Sequence, residues 1–246
     1  AERLSAEDEP YHREPITYEA PYLDNLPTAP REKFAANIAA IQKLKEIEQR
    51  VANGGSPAFE DEQRILAQYT GWGGLSDAFD PNKSAWSNEY SQLKAALSES
   101  EYEAARSSTL TAFYTPATVI HPIYRALERF GVKGGKILEP SMGTGAFLAH
   151  GHFGSSDAKF YGVELDSITG RISKQLYQKA NIQVTGYENA LLPDNYFDCV
   201  IGNVPFGNFQ VNDPQYNRLH FPIHDYFFAK SIDKLRTGGI MAFITS

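Results

Sequence analysis

Apolar positions along the chain change period several times, and each change marks an element. Residues 1 to about 30 are rich in Pro, Glu and Tyr and hold no sustained period, which predicts an extended arm or linker. Tyr11, Ile16, Tyr18, Tyr22 and Leu23 make this arm stickier than a solvated tail, so it is expected to wrap onto the next domain. From Arg31, the residues Phe34, Ile38, Ile41, Leu44 and Ile47 recur at helical spacing. Asn53-Gly54-Gly55-Ser56-Pro57 stops that helix. A second helix is predicted from Phe59 to Tyr69, with Glu60, Asp61 and Glu62 in the first turn, where the helix dipole favours acids. Trp86 to Arg106 reads as a further helix pair. Phe113-Tyr114-Thr115 precedes a proline and is therefore extended. Pro116 then opens a helix over Ala117 to Phe130, with Thr115 as its cap.

From residue 136 the pattern becomes short apolar runs alternating with helices. Strands are predicted at Ile137-Leu138, Lys159 to Asp166, Ile182 to Thr185, Phe197 to Gly202 and Gly239 to Ile244. Helices are predicted to start at Ala146, at Ser167 (running to Ala180) and at about His224 (running to Leu235). This alternation means an α/β fold with a mostly parallel, doubly wound sheet. The organisation expected is an arm over residues 1–30, a helical region over 31–108 and an α/β domain over 109–246.

Candidate chemistry collects at the predicted carboxyl ends of the strands, where such sheets bind ligands. Glu139-Pro140-Ser141-Met142-Gly143-Thr144-Gly145 is an acid followed by a small-residue turn, and it leads into the apolar helix start Ala146-Phe147-Leu148. Its glycines let a ligand approach backbone amides closely. The strict dinucleotide fingerprint fails, because its third glycine position is Leu148, and this argues against a bound pyrophosphate. Glu164 follows Gly145 by 19 residues, where a carboxylate suits a grip on two ribose hydroxyls. Glu188 stands after the third strand and Asn203-Val204-Pro205-Phe206 after the fourth. The polar and aromatic loop from Asn208 to Pro222 is long for a compact domain, and such loops are usually functional or mobile. Trp72, among Gly71, Gly73 and Gly74, reads more readily as a buried plug than as a stacking surface.

Composition narrows the choice. With 246 residues, 42% hydrophobic and 13% aromatic, the chain can bury a substantial core. No apolar run is long enough to span a membrane, and the acidic start is not a secretory signal. A single cysteine, Cys199, excludes an intramolecular disulfide and a cysteine-based zinc cluster, and a cytoplasmic setting is expected. The net charge of −7 weighs against a self-sufficient nucleic-acid binder. The chain opens on Ala1 rather than Met and is read as an excised piece.

Glu139 to Gly145, Glu164-Leu165-Asp166 and Asn203-Val204-Pro205-Phe206 resemble motifs I, II and IV of the S-adenosylmethionine-dependent amino-methyltransferases of the N6-adenine DNA type. Phe113 to Pro116 resembles motif X in the gamma-class order. The resemblance covers about Leu110 to Ser246 and implies a class I, Rossmann-like sheet. The Gly71-Trp72-Gly73-Gly74 region is similar to the N-terminal part of methylase–helicase proteins of conjugative elements and phages, which implies DNA as partner and a helicase region in the same parent protein. The resemblance implies a cofactor site made by Tyr114, Thr115, Glu139, Pro140, Ser141, Gly143, Gly145, Phe147, Glu164, Leu165, Glu188 and Asn203. Thr115 and the glycine turn would hold the methionine portion, Glu164 the ribose and Glu188 the adenine. Asn203, Val204, Pro205 and Phe206 would form the catalytic motif, and no metal is implied.

The chemistry of that motif can be reasoned directly. An exocyclic purine amine is a weak nucleophile, because its lone pair is delocalised into the ring. Two acceptors on its hydrogens, the Asn203 side-chain oxygen and the Val204 carbonyl, free that pair. Phe206 would stack on the base once it is swung out of the duplex. Val204 departs from the family pattern Asn-Pro-Pro-Tyr/Phe, so the rigidity of a second proline is lost. The sheet is read as stopping at its fifth strand with no target-recognition region visible, so the piece is expected to bind cofactor weakly or not at all unless the sheet edge is tolerated, and not to methylate DNA alone. Rival readings are a non-catalytic DNA-engagement module and a methyltransferase acting on protein glutamine or on RNA.

Overall fold

The computed structural model describes residues 14–18, 26–109, 115–151 and 157–245. Tyr114, expected at the cofactor, lies outside them, as do Tyr11, Tyr22 and Leu23 of the arm. Four helices come first: α1 (Pro30–Ala52), α2 (Glu60–Leu66), α3 (Ser87–Ala96) and α4 (Glu99–Ser108). The α/β part continues with α5 (Ala117–Arg129), β1 (Lys136–Glu139), α6 (Ala146–His150), β2 (Lys159–Glu164), α7 (Ser167–Leu176), β3 (Asn181–Val184), β4 (Phe197–Asn203), α8 (Ile223–Lys234) and β5 (Leu235–Ile244). The five strands form one parallel sheet in the order β3-β2-β1-β4-β5. The chain winds outward from β1 to β3, then returns to the other side of β1 with β4. The switch point therefore lies between β1 and β4, where ligands of such sheets sit.

Of the elements whose bounds differ from the sequence expectation, three do so for a visible reason, while α2 ends at Leu66 rather than Tyr69 and β2 at Glu164 rather than Asp166. Pro116, not Thr115, is the N-cap of α5; its backbone is extended and no side chain caps the helix. Its carbonyl accepts from Val119 and Ile120 instead. Helix α7 stops at Leu176 rather than Ala180, because Tyr177 leaves the helix to pair antiparallel with Thr17 of the arm. Strand β5 begins at Leu235, four residues early, through an irregular register against Phe197 and Cys199 of β4.

Residues 16–18 of the arm lie against the end of α7 and are held there by backbone pairing. Tyr18 donates to the Leu176 carbonyl at 2.8 Å and Gln178 donates to the Ile16 carbonyl at 3.1 Å. One apolar core joins α1 to α4 with α7 and with Met142 and Leu148 of the glycine-turn region. Polar contacts reinforce that junction. Gln63 donates to the carbonyls of Gln175 and Leu176, and Arg171 pairs with Glu48 and Glu101.

Trp72 is the plug of that core, 1% exposed, and packs edge-on against Phe79 and Tyr69. Its glycine-rich segment is held by Asn37, fully buried, which donates to Gly71 and accepts from Thr70. Replacing a fully packed tryptophan by alanine loses its buried area and leaves a cavity. Trp72→Ala is expected to cost about 3–5 kcal/mol in a denaturant titration, and a change under about 1 kcal/mol would show that the ring is not a plug.

Candidate functional site

The turn after β1 is fixed from four sides. Met142 N donates to the Val163 carbonyl at 3.0 Å, and Gly143 N donates to Glu164 Oε2 at 2.8 Å. Ser173 Oγ donates to the Gly143 carbonyl at 2.8 Å, and Ser141 Oγ donates to the Asn203 carbonyl at 2.9 Å. Motif residues from β1, β2 and β4 are thus tied into one cleft edge. Ser173 belongs to none of the sequence motifs; the available signal is a serine on the otherwise apolar face of α7, beside Ile172 and Leu176.

Gly145 sits in the left-handed region, φ 79°, and opens α6. A Cβ there would stand 2.3 Å from the Tyr177 ring. Glycine is required at 145 by a protein wall, where the sequence suggested close approach of a ligand. Phe147 also needs correction as a cofactor residue. Its side chain is buried among Ile120, Tyr124, Leu127 and Ile137, and its carbonyl accepts from the Tyr124 hydroxyl at 2.9 Å. The first turn of α6 faces its aromatic side inward because β1 and α5 cover that face.

Glu164 is half-buried, and its carboxyl accepts from Gly143 N on one oxygen and Asp166 N on the other. Burial pushes its pKa up to about 7, opposed by those amide donors and reinforced by the Asp166 charge. Glu139, at the end of β1, is 2% exposed, and burial followed by the charge of Glu164 raises its pKa well above the usual carboxylate range. Its Oε2 has no hydrogen-bond partner among the described residues. The same holds for Asn203 Oδ1, at the end of the neighbouring strand β4. Two buried acceptor oxygens without donors thus flank the switch point. Buried acceptors are normally satisfied, and a donor brought by a bound ligand is one way to satisfy an exception.

The remaining expected residues differ in burial and partners. Pro140 is buried, Thr115 half-buried and Leu165 exposed beyond β2. Glu188 folds back over Gly186 after β3 and accepts from the Asn189 amide at 2.9 Å. Val204 is buried in the core on the α8 side, and its N–H donates to the Ile244 carbonyl at 3.3 Å. A proline there could not make that bond. The tether to β5 supplies part of the rigidity that the departure from Asn-Pro-Pro removes. Phe206 is 41% exposed, three residues beyond the end of β4.

A family model for N-6 DNA methylase matches residues 100–244. Defense against restriction protein B of Escherichia phage P1 is 28% identical over 238 residues, which cover 95% of this chain and 9% of that protein. Modification methylase CviBIII of Paramecium bursaria Chlorella virus NC1A is 31% identical over 137 residues, 54% of this chain and 36% of that protein. The chain therefore spans well under half the length of these relatives. Among solved structures, one from Listeria monocytogenes assigned to the class I S-adenosylmethionine-dependent methyltransferases matches at 17% identity and a TM-score of 0.47, over 85% of this chain and 73% of that one.

Proposed function

The chain belongs to the N-6 DNA methylase family, and from that premise we propose that it binds S-adenosylmethionine at the switch point and carries the residues for methyl transfer to the N6 amine of adenine in DNA. The observation that carries this reading is the pair of unpartnered acceptors, Glu139 Oε2 and Asn203 Oδ1, on adjacent strand ends. The site offers acceptor oxygens, which fits a ligand bringing an ammonium group, ribose hydroxyls and, from the acceptor base, an exocyclic amine. S-adenosylmethionine would supply the electrophilic methyl on a sulfonium.

The protein's own groups do the rest. Ser141, Gly143 and Gly145 shape the turn beside the methionine portion, with Thr115 and Glu139 near it. Glu164 accepts from the ribose hydroxyls, while Leu165 and Glu188 flank the adenine. Asn203 Oδ1 and the Val204 carbonyl accept the two amine hydrogens, draw the nitrogen toward tetrahedral geometry and expose its lone pair in line with the methyl. Positioning of this kind is worth several kcal/mol. Phe206 offers a ring face to the extruded base.

The elevated proton affinity of Glu164 gives the reading a test. A protonated carboxyl is a poor acceptor for two hydroxyls, so ligand and proton compete. Calorimetric titration of S-adenosylmethionine is expected to weaken as pH falls below about 7, by up to about tenfold per pH unit. Glu164→Gln is expected to bind weakly at every pH and to flatten that profile. The sign reverses for the stability of the free protein. The folded state holds the Glu164 proton more tightly than the unfolded state does, so this stabilisation is full below about 4.5 and is lost as pH rises through about 7. Absence of saturable binding at pH 8 both in this chain and in a longer protein that contains it would sink the reading. Methyl-transfer assays with DNA, RNA and protein acceptors, run separately, then identify the acceptor.

A further inference from the structure

The loop after the Asn203 motif is long, but it is built rather than loose. Gln210 Nε2 donates to the His220 carbonyl at 3.2 Å and brings the two ends of the loop together, as in a compact Ω-loop. Asp213, 5% exposed, anchors the interior. It accepts from Lys230 Nζ at 2.9 Å and from the Tyr226 hydroxyl at 2.8 Å, both on α8. The Tyr216 hydroxyl donates to Asp233 of the same helix at 2.6 Å. The loop is thereby a rigid shelf continuous with the end of β4.

The face of this shelf departs from the rest of the chain. The net charge is −7, yet from Cys199 to His224 the one acid is Asp213, buried and paired with Lys230. Its exposed residues include Phe206, Asn208, Phe209, Arg218, Leu219 and His220, along with polar Gln210, Asn212, Gln215 and Asn217. Phe209 is 54% exposed, and its ring folds back onto the backbone of Gly207, where a Cβ would stand 2.5 Å from it. Phe209 thus presents an exposed ring three residues after Phe206. Arg218 makes no ion pair among the described residues. A fixed loop that carries no exposed acid of its own, although exposed Asp233 of α8 adjoins its Tyr216, and that offers an aromatic ring, that guanidinium and a side-chain amide, matches how a nucleic-acid strand is held: base stacking, a phosphate contact and edge hydrogen bonds.

We propose that the shelf formed by residues 206–220 holds the nucleic-acid strand next to the target base, with Phe209 stacking on a neighbouring base and Arg218 meeting a backbone phosphate. This rests on the methyltransferase reading and adds to it the surface that receives the acceptor strand. It also locates a nucleic-acid contact within this chain, despite the acidic total.

The test is fluorescence anisotropy with a labelled adenine-containing single-stranded oligonucleotide at low salt, using the 246-residue chain saturated with S-adenosylmethionine. Phe209→Ala and Arg218→Ala are each expected to weaken oligonucleotide binding roughly tenfold, in line with the loss of one stacked base or one phosphate contact. Arg218→Ala should also reduce the slope of log affinity against log salt by about one. Cofactor affinity, measured by calorimetry in the same variants, should stay unchanged. Arg125→Glu, an exposed change on α5, is the control and should leave the slope alone. Equal weakening by Arg125→Glu, or wild-type affinity in both loop variants, overturns the proposal. So does a cofactor-bound wild-type chain that binds no oligonucleotide. Loss of cofactor binding in the wild type would instead strike at the methyltransferase reading itself.

Discussion

In a longer protein that contains this chain and methylates DNA, Asn203→Ala is expected to lower methyl transfer by about two to three orders of magnitude while leaving S-adenosylmethionine affinity within a few-fold. Removing one preorganised group that acts on developing charge typically has an effect of that size. The structure explains why the loss should fall on turnover. Asn203 Oδ1 is a buried acceptor with no partner among the described residues. Its backbone carbonyl, by contrast, is already engaged by Ser141 Oγ at 2.9 Å. Truncation removes the free acceptor and keeps the strand-end geometry. Asn203→Asp is the sharper companion, because it keeps an acceptor and adds a charge near Glu139 and Glu164, whose proton affinities burial already raises. It is expected to retain part of the rate and to shift its pH dependence. Single-turnover assays with cofactor in excess measure the step directly. A rate for Asn203→Ala within threefold of wild type would remove Asn203 from the chemistry and favour a non-catalytic module.

The features of such a site that are local in the chain are legible in the amino-acid sequence. Strand and helix alternation from Lys136 onward is one of them, because each element states its own period, and the five strands lie where the apolar runs place them. Glu139, Glu164 and Asn203 are others, since an acid or amide at a strand end needs no partner in sequence to be noticed. What depends on distant partners stays hidden. Ile16 and Tyr18 are visibly sticky, but nothing local says that they pair with residues 176–178, or that this pairing ends α7 early. Phe147 looks like a cofactor residue because it comes just after the glycine turn. Its direction is set by α5 and β1, which cover that face. The order β3-β2-β1-β4-β5 brings Glu139 and Asn203 side by side although 64 positions separate them, and only that adjacency turns two separate motifs into one site.

Gly145→Val joins these levels, and its expected effect is large. The residue adopts φ 79°, a conformation that a β-branched side chain strongly disfavours. Its new Cβ would stand 2.3 Å from Tyr177, itself fully buried and bounded by the arm through the Thr17 pairing. The ring has little room to retreat, so backbone strain and overpacking both act. Together they are expected to destabilise the fold by about 2–5 kcal/mol in a denaturant titration. A double-mutant cycle separates the two. Tyr177→Ala removes the wall, so Gly145→Val should be less harmful in that background, with the left-handed strain remaining. If the penalty is identical in both backgrounds, the wall plays no part and the glycine is there for its backbone alone. If it shrinks, the arm, α7 and the cofactor turn are one packed unit. Cofactor affinity should then fall in any variant that loosens Tyr177, although that residue belongs to no motif.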